Sequence, residues 1–271
     1  MPSINEIRDE KMVLVQSEIC EINEVAPGYC RLQLKAPQIA AAAQPGQFIQ
    51  VRVGNDVSVD PLLARPISIF RINKEAGSVA LLFKIVGRGT KLLASKRRGE
   101  KLTIWGPVGN GFEIPEQAKK IALIAGGIGM PPLFCLQEKL SLDPNPPKMI
   151  LFYGGRTSQD FLEMDLWKKS RVRIKLATED GSMGFKGFVT DSFVDEHKSE
   201  AFDFVIACGP TPMLRAVQKI ASLFRLSGQI SLESYMACGV GACLGCVCQT
   251  EQGSRRVCVD GPVFPIEEVI L

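Results

Sequence analysis

The sequence predicts a multidomain protein of mixed β and α/β class: an antiparallel β-barrel, then a parallel α/β domain, then a small cysteine-bearing module at the C-terminus. Three observations predict it. Short β-branched strands succeed one another with little helix as far as Phe112, and from Lys119 buried strands alternate with glycine turns and helices. Beyond residue 231, three cysteines spaced C-x4-C-x2-C lie in a run rich in Gly and Ala. The expected units are residues 10–114, 117–230 and 231–271, and 271 residues suffice for two ordinary domains and a small module.

The barrel strands are expected at Val13–Val15, Arg31–Leu34, Phe48–Val53, Ile67–Ile72, Val79–Val86 and Leu102–Ile104, with turn residues between them. Two features stand out in this region. Arg65-Pro66-Ile67-Ser68 opens a strand with a cation and a hydroxyl, and Gly87-Arg88-Gly89-Thr90 ends a strand and begins a helical run, Lys91–Lys96. A strand-to-helix turn with two glycines presents free amide N–H groups at the positive end of a helix, which suits phosphate. Arg65 would add a charge-assisted contact to the same pyrophosphate. Each feature alone is weak, since Arg-Pro is commonly a strand start and Gly-x-Gly commonly a turn.

The second unit opens with the buried strand Lys120–Ala125, the glycine turn Gly126-Gly127-Ile128-Gly129 and a helix begun by Pro131-Pro132. Asp143–Pro147 stops that helix, and Met149–Tyr153 returns as a parallel strand. Pro132 stands where a dinucleotide fingerprint would have its third glycine, so a nucleotide site here is of another style. Strands follow at Val172–Ala177 and Phe202–Ala207. Then Cys208-Gly209-Pro210-Thr211-Pro212 repeats strand, glycine turn and helix, with Thr211 the expected N-cap. Two glycine turns at one sheet edge would frame a ligand crevice.

In the third unit Cys238, Cys243 and Cys246 have the spacing of the first three ligands of a plant-type [2Fe-2S] cluster. Gly239, Gly241 and Gly245 would supply positive φ and free amides to face sulfur. Val247–Thr250 and Arg255–Val259 read as a hairpin around Glu251-Gln252-Gly253; pairing Thr250 with Ser254 sets Cys246 opposite Cys258, the fourth ligand. Zinc also takes four thiolates, and a disulfide is a further alternative. Cys248 reads as a strand residue that could substitute as a ligand, and Cys20, Cys30 and Cys135 as core residues.

Composition names no partner. The chain is 46% hydrophobic and 23% charged with a formal charge of +3, too small to argue for nucleic acid or a membrane surface. Met1–Glu10 lacks the apolar stretch of a signal peptide, and the longest apolar run is broken by Gly and Pro, so a cytoplasmic setting is expected. The single histidine, His197, reads as a solvated helix residue, and Ser-His-Asp chemistry is excluded unless it takes part. No general acid or base is assigned.

A nucleotide crevice and an iron-sulfur site in one chain call for a mediator. Nicotinamide exchanges a hydride, a [2Fe-2S] cluster one electron, and a flavin handles both, so FAD or FMN suits the pyrophosphate site on the barrel. The motifs together, with Met213-Leu214 and Cys258-Val259-Asp260-Gly261-Pro262-Val263-Phe264, span nearly the whole chain. In this order the sequence resembles the ferredoxin-reductase-like flavoproteins and, among them, the electron-transfer subunits of class 1B dihydroorotate dehydrogenases. The resemblance implies FAD at Arg65, Pro66, Ile67, Ser68, Leu82, Phe83, Lys84, Gly89 and Thr90. It implies NAD(H) as co-substrate at Gly126, Gly127, Gly129, Cys208, Gly209 and Pro210, and cluster ligation by Cys238, Cys243, Cys246 and Cys258. It further implies an FMN-containing catalytic dihydroorotate dehydrogenase subunit as partner, in a heterotetramer of two of each, with electrons passing from that FMN through cluster and FAD to NAD+. A diaphorase-type subunit of a hydrogenase, sulfide dehydrogenase or NADH-ferredoxin oxidoreductase is the nearest rival, and a zinc-stabilised nucleotide-binding module without redox role the rival of another class. NAD rather than NADP is implied, although Arg156 could meet a 2′-phosphate.

Overall fold

The structure is a computed structural model that describes residues 12–54, 60–170 and 172–271. Met1–Glu10 and the expected start of the first unit at residue 10 lie outside the described residues. Strands β1 (Val13–Ala26), β2 (Tyr29–Lys35), β3 (Phe48–Val51), β4 (Arg65–Asn73), β5 (Ser78–Lys84) and β6 (Lys101–Val108) close into an antiparallel barrel of order β1-β2-β5-β4-β3-β6. Alternate residues turn inward, so Leu32, Leu34, Ile49, Val51, Ile67, Ile69, Leu81, Phe83 and Ile104 fill it.

Helix α1 (Pro37–Ala42) plugs one end of the barrel with Ile39 and Ala40, a helix hidden in the sequence because its stretch of alanines carries no polar face. Strand β1 runs far beyond Val15. Irregular pairing between Ile19 and Glu21 and between Glu24 and Ala26 breaks the alternation that sequence reading depends on. Helix α2 (Arg88–Ala94) starts three residues earlier than expected, directly at the glycine turn.

The second domain is built from β7 (Lys120–Gly126), a 3-10 turn (Gly127–Gly129), α3 (Met130–Leu140), β8 (Lys148–Gly155), α4 (Met164–Lys169), β9 (Arg173–Thr178), β10 (Phe185–Lys186), α5 (Val189–Ser199), β11 (Phe204–Cys208), α6 (Thr211–Phe224) and β12 (Gly228–Ser231). Pro210, not Thr211, is the N-cap of α6, and no side chain caps it, because the proline ring carries no hydrogen-bond acceptor. The C-terminal residues form a hairpin, β13 (Val247–Thr250) with β14 (Gly253–Arg256), and a strand β15 (Val263–Pro265). Strand β15 adds antiparallel to β12, completing a sheet of order β10-β9-β8-β7-β11-β12-β15. The order reverses at β7, whose neighbours are β8 on one side and β11 on the other, so the loops after β7 and β11 open the crevice of a switch point.

Helix α3 lies between sheet and barrel. Phe134 meets Phe70 of β4 and Trp167 of α4 with ring centroids 4.9 Å apart in both cases. Burial of each such ring contributes about 1.5–3 kcal/mol. The Arg71–Glu138 ion pair beside them (2.7 Å) is half exposed and worth about 1 kcal/mol or less, so aromatic packing dominates this interface.

Three local expectations are corrected. The hairpin turn holds two residues, with Thr250 opposite Gly253 and Gln249 opposite Ser254, because Gly253 takes φ +101° within the ladder instead of in the loop. Cys246 therefore accepts from the Val257 N–H and stands one position out of register with Cys258. His197 is half buried among Phe193, Phe202 and Phe224, and the Phe202 N–H donates to its Nδ1 at 3.3 Å. Cys30 and Cys135 are buried as expected, whereas Cys20, on the irregular part of β1, is only half buried.

Candidate functional site

The barrel motifs converge on one spot. A Cβ added at Gly89 would fall 2.3 Å from Arg65 Nε, so the guanidinium lies against the first turn of α2. Arg65 is braced there by donating from Nη1 to Leu63 O (2.7 Å) and Ala64 O (3.3 Å). Thr90 Oγ1 donates to Gly87 O and accepts from the Val86 and Gly87 N–H groups, which fixes the turn. Pro66 and Ser68 face out of the barrel, while Ile67 points into it. Leu82 faces the α/β domain, Phe83 fills the barrel, and exposed Lys84 lies over the Tyr29 ring at 5.0 Å. A cation, amides at a helix start and small residues fit a bound pyrophosphate, with the side chain of Phe83 turned away from it.

The two glycine turns, after β7 and after β11, touch each other. Parallel pairing sets Ala125 beside Cys208. A Cβ on Gly129 would meet Cys208 O at 2.3 Å, one on Gly209 would meet the Gly126 backbone at 3.0 Å, and one on Gly126 would meet Pro210 Cδ at 2.7 Å. These three glycines are required by the approach of the turns. Gly127 is different: it has φ +50° and open space where a side chain would be, and Tyr153 Oη donates to its carbonyl at 3.1 Å.

Cys208 is almost fully buried at the base of the crevice. Burial pushes its thiol up, the Glu233 charge adds to this, and the Ser231 hydroxyl within hydrogen-bonding reach works against it. Glu233 was not singled out by sequence, although pairing of Cys208 with Ser231 carries the chain straight to it. Its side chain reaches solvent, yet the protein crowded around it holds its carboxyl above the usual carboxylate range.

The cysteine loop folds by left-handed residues at Gly239 (φ +67°), Gly241 (φ +79°) and Leu244 (φ +55°). Leu244 thus takes the conformation expected of Gly245, which lies outside that region. Amides turn to sulfur: Val240 and Cys243 N–H groups donate to Cys238 Sγ, and the Gly245 N–H to Cys243 Sγ, each at 3.4 Å. Burial opposes ionisation of Cys238, but these amides prevail and bring its thiol down to about 7. Burial, then contact with the Cys246 thiol, pushes Cys258 up to about 12.

The thiols meet in two pairs, Cys238 with Cys243 and Cys246 with Cys258, and Cys238 lies within electrostatic reach of Cys258. Among the described residues no three His, Cys, Asp or Glu side chains gather tightly enough for a single ion. Two pairs of thiols with amides directed at sulfur fit the four thiolates that a [2Fe-2S] cluster takes. Cys248 is half buried on β13, and burial raises its thiol.

A barrel with a phosphate-fitted turn, a switch-point crevice and a paired-thiol loop define an electron-transfer protein of the ferredoxin-reductase-like class. Comparison with known proteins agrees. Residues 233–270 match the iron-sulfur cluster binding domain of dihydroorotate dehydrogenase B, and residues 123–219 match the oxidoreductase NAD-binding domain. The dihydroorotate dehydrogenase B (NAD(+)) electron transfer subunit of Shouchella clausii is 42% identical over 93% of this chain and 96% of its own. That of Clostridium acetobutylicum is 38% identical over 94% and 96%. The solved NADH-dependent reduced ferredoxin-NADP oxidoreductase, described for flavin-based electron bifurcation, superposes with a TM-score of 0.84 at 28% identity, covering 94% of this chain and 90% of that one. The chain belongs to the family of dihydroorotate dehydrogenase B (NAD(+)) electron transfer subunits.

Proposed function

We propose that this chain collects electrons from an FMN held by a catalytic dihydroorotate dehydrogenase subunit and delivers them as hydride to NAD+. As a member of its family it is an oxidoreductase subunit that works with a [2Fe-2S] cluster, FAD and NAD(H), and its role falls in pyrimidine biosynthesis. When bound, the flavin supplies the exchange between single electrons and hydride. The observation that carries the reading is the seat of the cysteine loop. Cys246 and Cys258 share one apolar core with Phe48 and Val108 of the barrel and with Ile230 and Phe264 of the sheet, so the loop touches both nucleotide-bearing domains.

We assign three units, residues 10–114, 117–230 and 231–271, to flavin, nicotinamide and cluster. Arg65, Gly89 and Thr90 would hold the FAD pyrophosphate and the outward faces of Pro66 and Ser68 its ring. The Ile67 and Phe83 side chains shape the barrel beneath, Leu82 fixes the neighbouring domain, and Lys84 stands at the rim. Gly126, Gly127, Gly129, Cys208, Gly209 and Pro210 would frame NAD, with Gly127 the point of closest backbone approach. Cys238, Cys243, Cys246 and Cys258 would ligate the cluster. Tyr235, Val240, Leu244 and Val247 are exposed apolar residues around that loop, which suits docking of the catalytic subunit there in a heterotetramer of two of each. Among the described residues no helix is long and apolar enough to cross a membrane, and the free cysteines fit a cytoplasmic setting.

Anaerobic co-expression with an FMN-binding dihydroorotate dehydrogenase tests the reading. The expected product is a coloured complex that contains FAD, iron and acid-labile sulfide and reduces NAD+ with dihydroorotate. A colourless chain that holds zinc, or a complex that cannot couple the two substrates, overturns it.

A further inference from the structure

Gln50 sits in the middle of β3, paired with Pro66 of β4 on one side and Trp105 of β6 on the other. Its neighbours Ile49 and Val51 point into the barrel, whereas Phe48, two residues away and on the same face as Gln50, packs in the core that holds Cys246 and Cys258. The Gln50 side chain is therefore carried out of the barrel toward the cysteine loop, and it is completely buried.

A Cβ built on Gly239 would lie 2.6 Å from Gln50 Nε2, which places the carboxamide directly beneath the loop between Cys238 and Cys243. Among the described residues its one hydrogen-bond contact is from Nε2 to Met236 Sδ at 3.8 Å, and a thioether is a weak acceptor. Oε1 is sealed from solvent with no hydrogen-bond partner among the described residues. A buried amide left so nearly unpaired loses its hydration with little return, and an apolar side chain would occupy the same space without that cost. In so dry a setting its dipole acts strongly on any charge nearby.

We infer that Gln50 is a positioning residue for electron transfer: its carboxamide lies beneath the cluster loop on the strand beside β4, and its N–H end stabilises the electron that the cluster gains. The inference rests on the assignment of the cluster to the four cysteines and of FAD to β4. Reduction of the cluster adds one electron, with no proton and no bond change, and the positive end of the amide faces the loop where that charge appears. Gln50 would thereby raise the reduction potential of the cluster.

The test is an EPR-monitored redox titration of the complex with its FMN-containing subunit, with dithionite as reductant, on wild type, Gln50→Met and Gln50→Glu, each assayed for FAD and iron. Gln50→Met keeps the shape but lacks the dipole, and it is expected to shift the cluster potential downward and alter the EPR line shape. Gln50→Glu is expected to shift it further down by adding negative charge. Potentials and line shapes equal to wild type in both variants overturn the inference. Loss of iron from both also overturns it, by reducing Gln50 to a structural support. A wild-type complex without iron and FAD instead defeats the underlying assignment, and the inference with it.

Discussion

The two glycine-rich regions of this molecule both crowd the residue, but only the cysteine loop also needs its left-handed backbone. In the paired turns after β7 and β11, Gly126, Gly129 and Gly209 are enclosed by backbone and side-chain atoms of the facing turn. In the cysteine loop, Gly239 and Gly241 are also closely approached, by the Gln50 and Val259 side chains, but they differ in taking the left-handed backbone that aims amides at sulfur, and Gly245 has only one ordinary contact, with Cys243 Sγ at 3.5 Å. The crevice is built by close packing of backbone on backbone, and the loop adds to close packing on side chains the direction of its N–H groups. Damage to the first should therefore appear as lost stability, and damage to the second as a lost cofactor.

The largest expected effect breaks the loop without breaking the fold. Cys246→Ser should abolish the visible absorbance and iron of the cluster while FAD stays bound, measured by spectrum and metal content; retention of the cluster would remove Cys246 from the ligand set. Gly129→Ala is the converse. Its methyl would collide with the Cys208 carbonyl, backbone that cannot swing aside, and overpacking of this kind costs about 1–3 kcal/mol. Chemical denaturation should show that loss with iron content unchanged at low temperature. Gly89→Ala is milder, because the obstructing atoms are the far end of the Arg65 side chain. It should weaken FAD retention on dilution and leave the cluster spectrum intact. An unaltered FAD affinity would place the pyrophosphate elsewhere.

The same contrast explains what was legible in the sequence. Cysteine spacing is chemistry written in one stretch of chain, so a cluster-binding loop could be expected from Cys238, Cys243 and Cys246 before any fold was known, whereas Cys258 was placed by a register that the structure corrects. The barrel and the sheet were legible because β-branched strands and buried runs such as Lys120–Ala125 carry their period locally. What escaped depends on contacts distant in sequence. Gln50 meets Gly239 across most of the chain, and β15 joins β12 only after the hairpin intervenes. Likewise Glu233 acquires meaning only from Cys208. The hairpin register slipped by one because a glycine after two polar residues fits the loop and the ladder equally well, and only the φ of Gly253 decides. His197 read as solvated because Phe193 alone is its neighbour on the helix, while Phe202 and Phe224 arrive from other elements.

The smallest expected effect comes from that histidine and sharpens the comparison, since it lies away from both glycine regions. Burial, and then the charge of Lys120, lower the pKa of His197 below its ordinary value. The unfolded chain takes up a proton near pH 6.5, whereas the folded chain resists it until the pH is lower. The unfolded state therefore binds more protons in that window, and stability must fall as the pH drops through about 6.5 until the folded pKa is passed. Below that point the loss levels off. Lys120 also lies over the Phe202 ring at 4.4 Å and donates to Glu200 O, so the positive charge facing His197 is held in place. Urea midpoints measured from pH 7.5 down to 5 should decline more steeply for wild type than for His197→Gln. Parallel slopes would show that the imidazole titrates in the folded protein as it does in the unfolded chain.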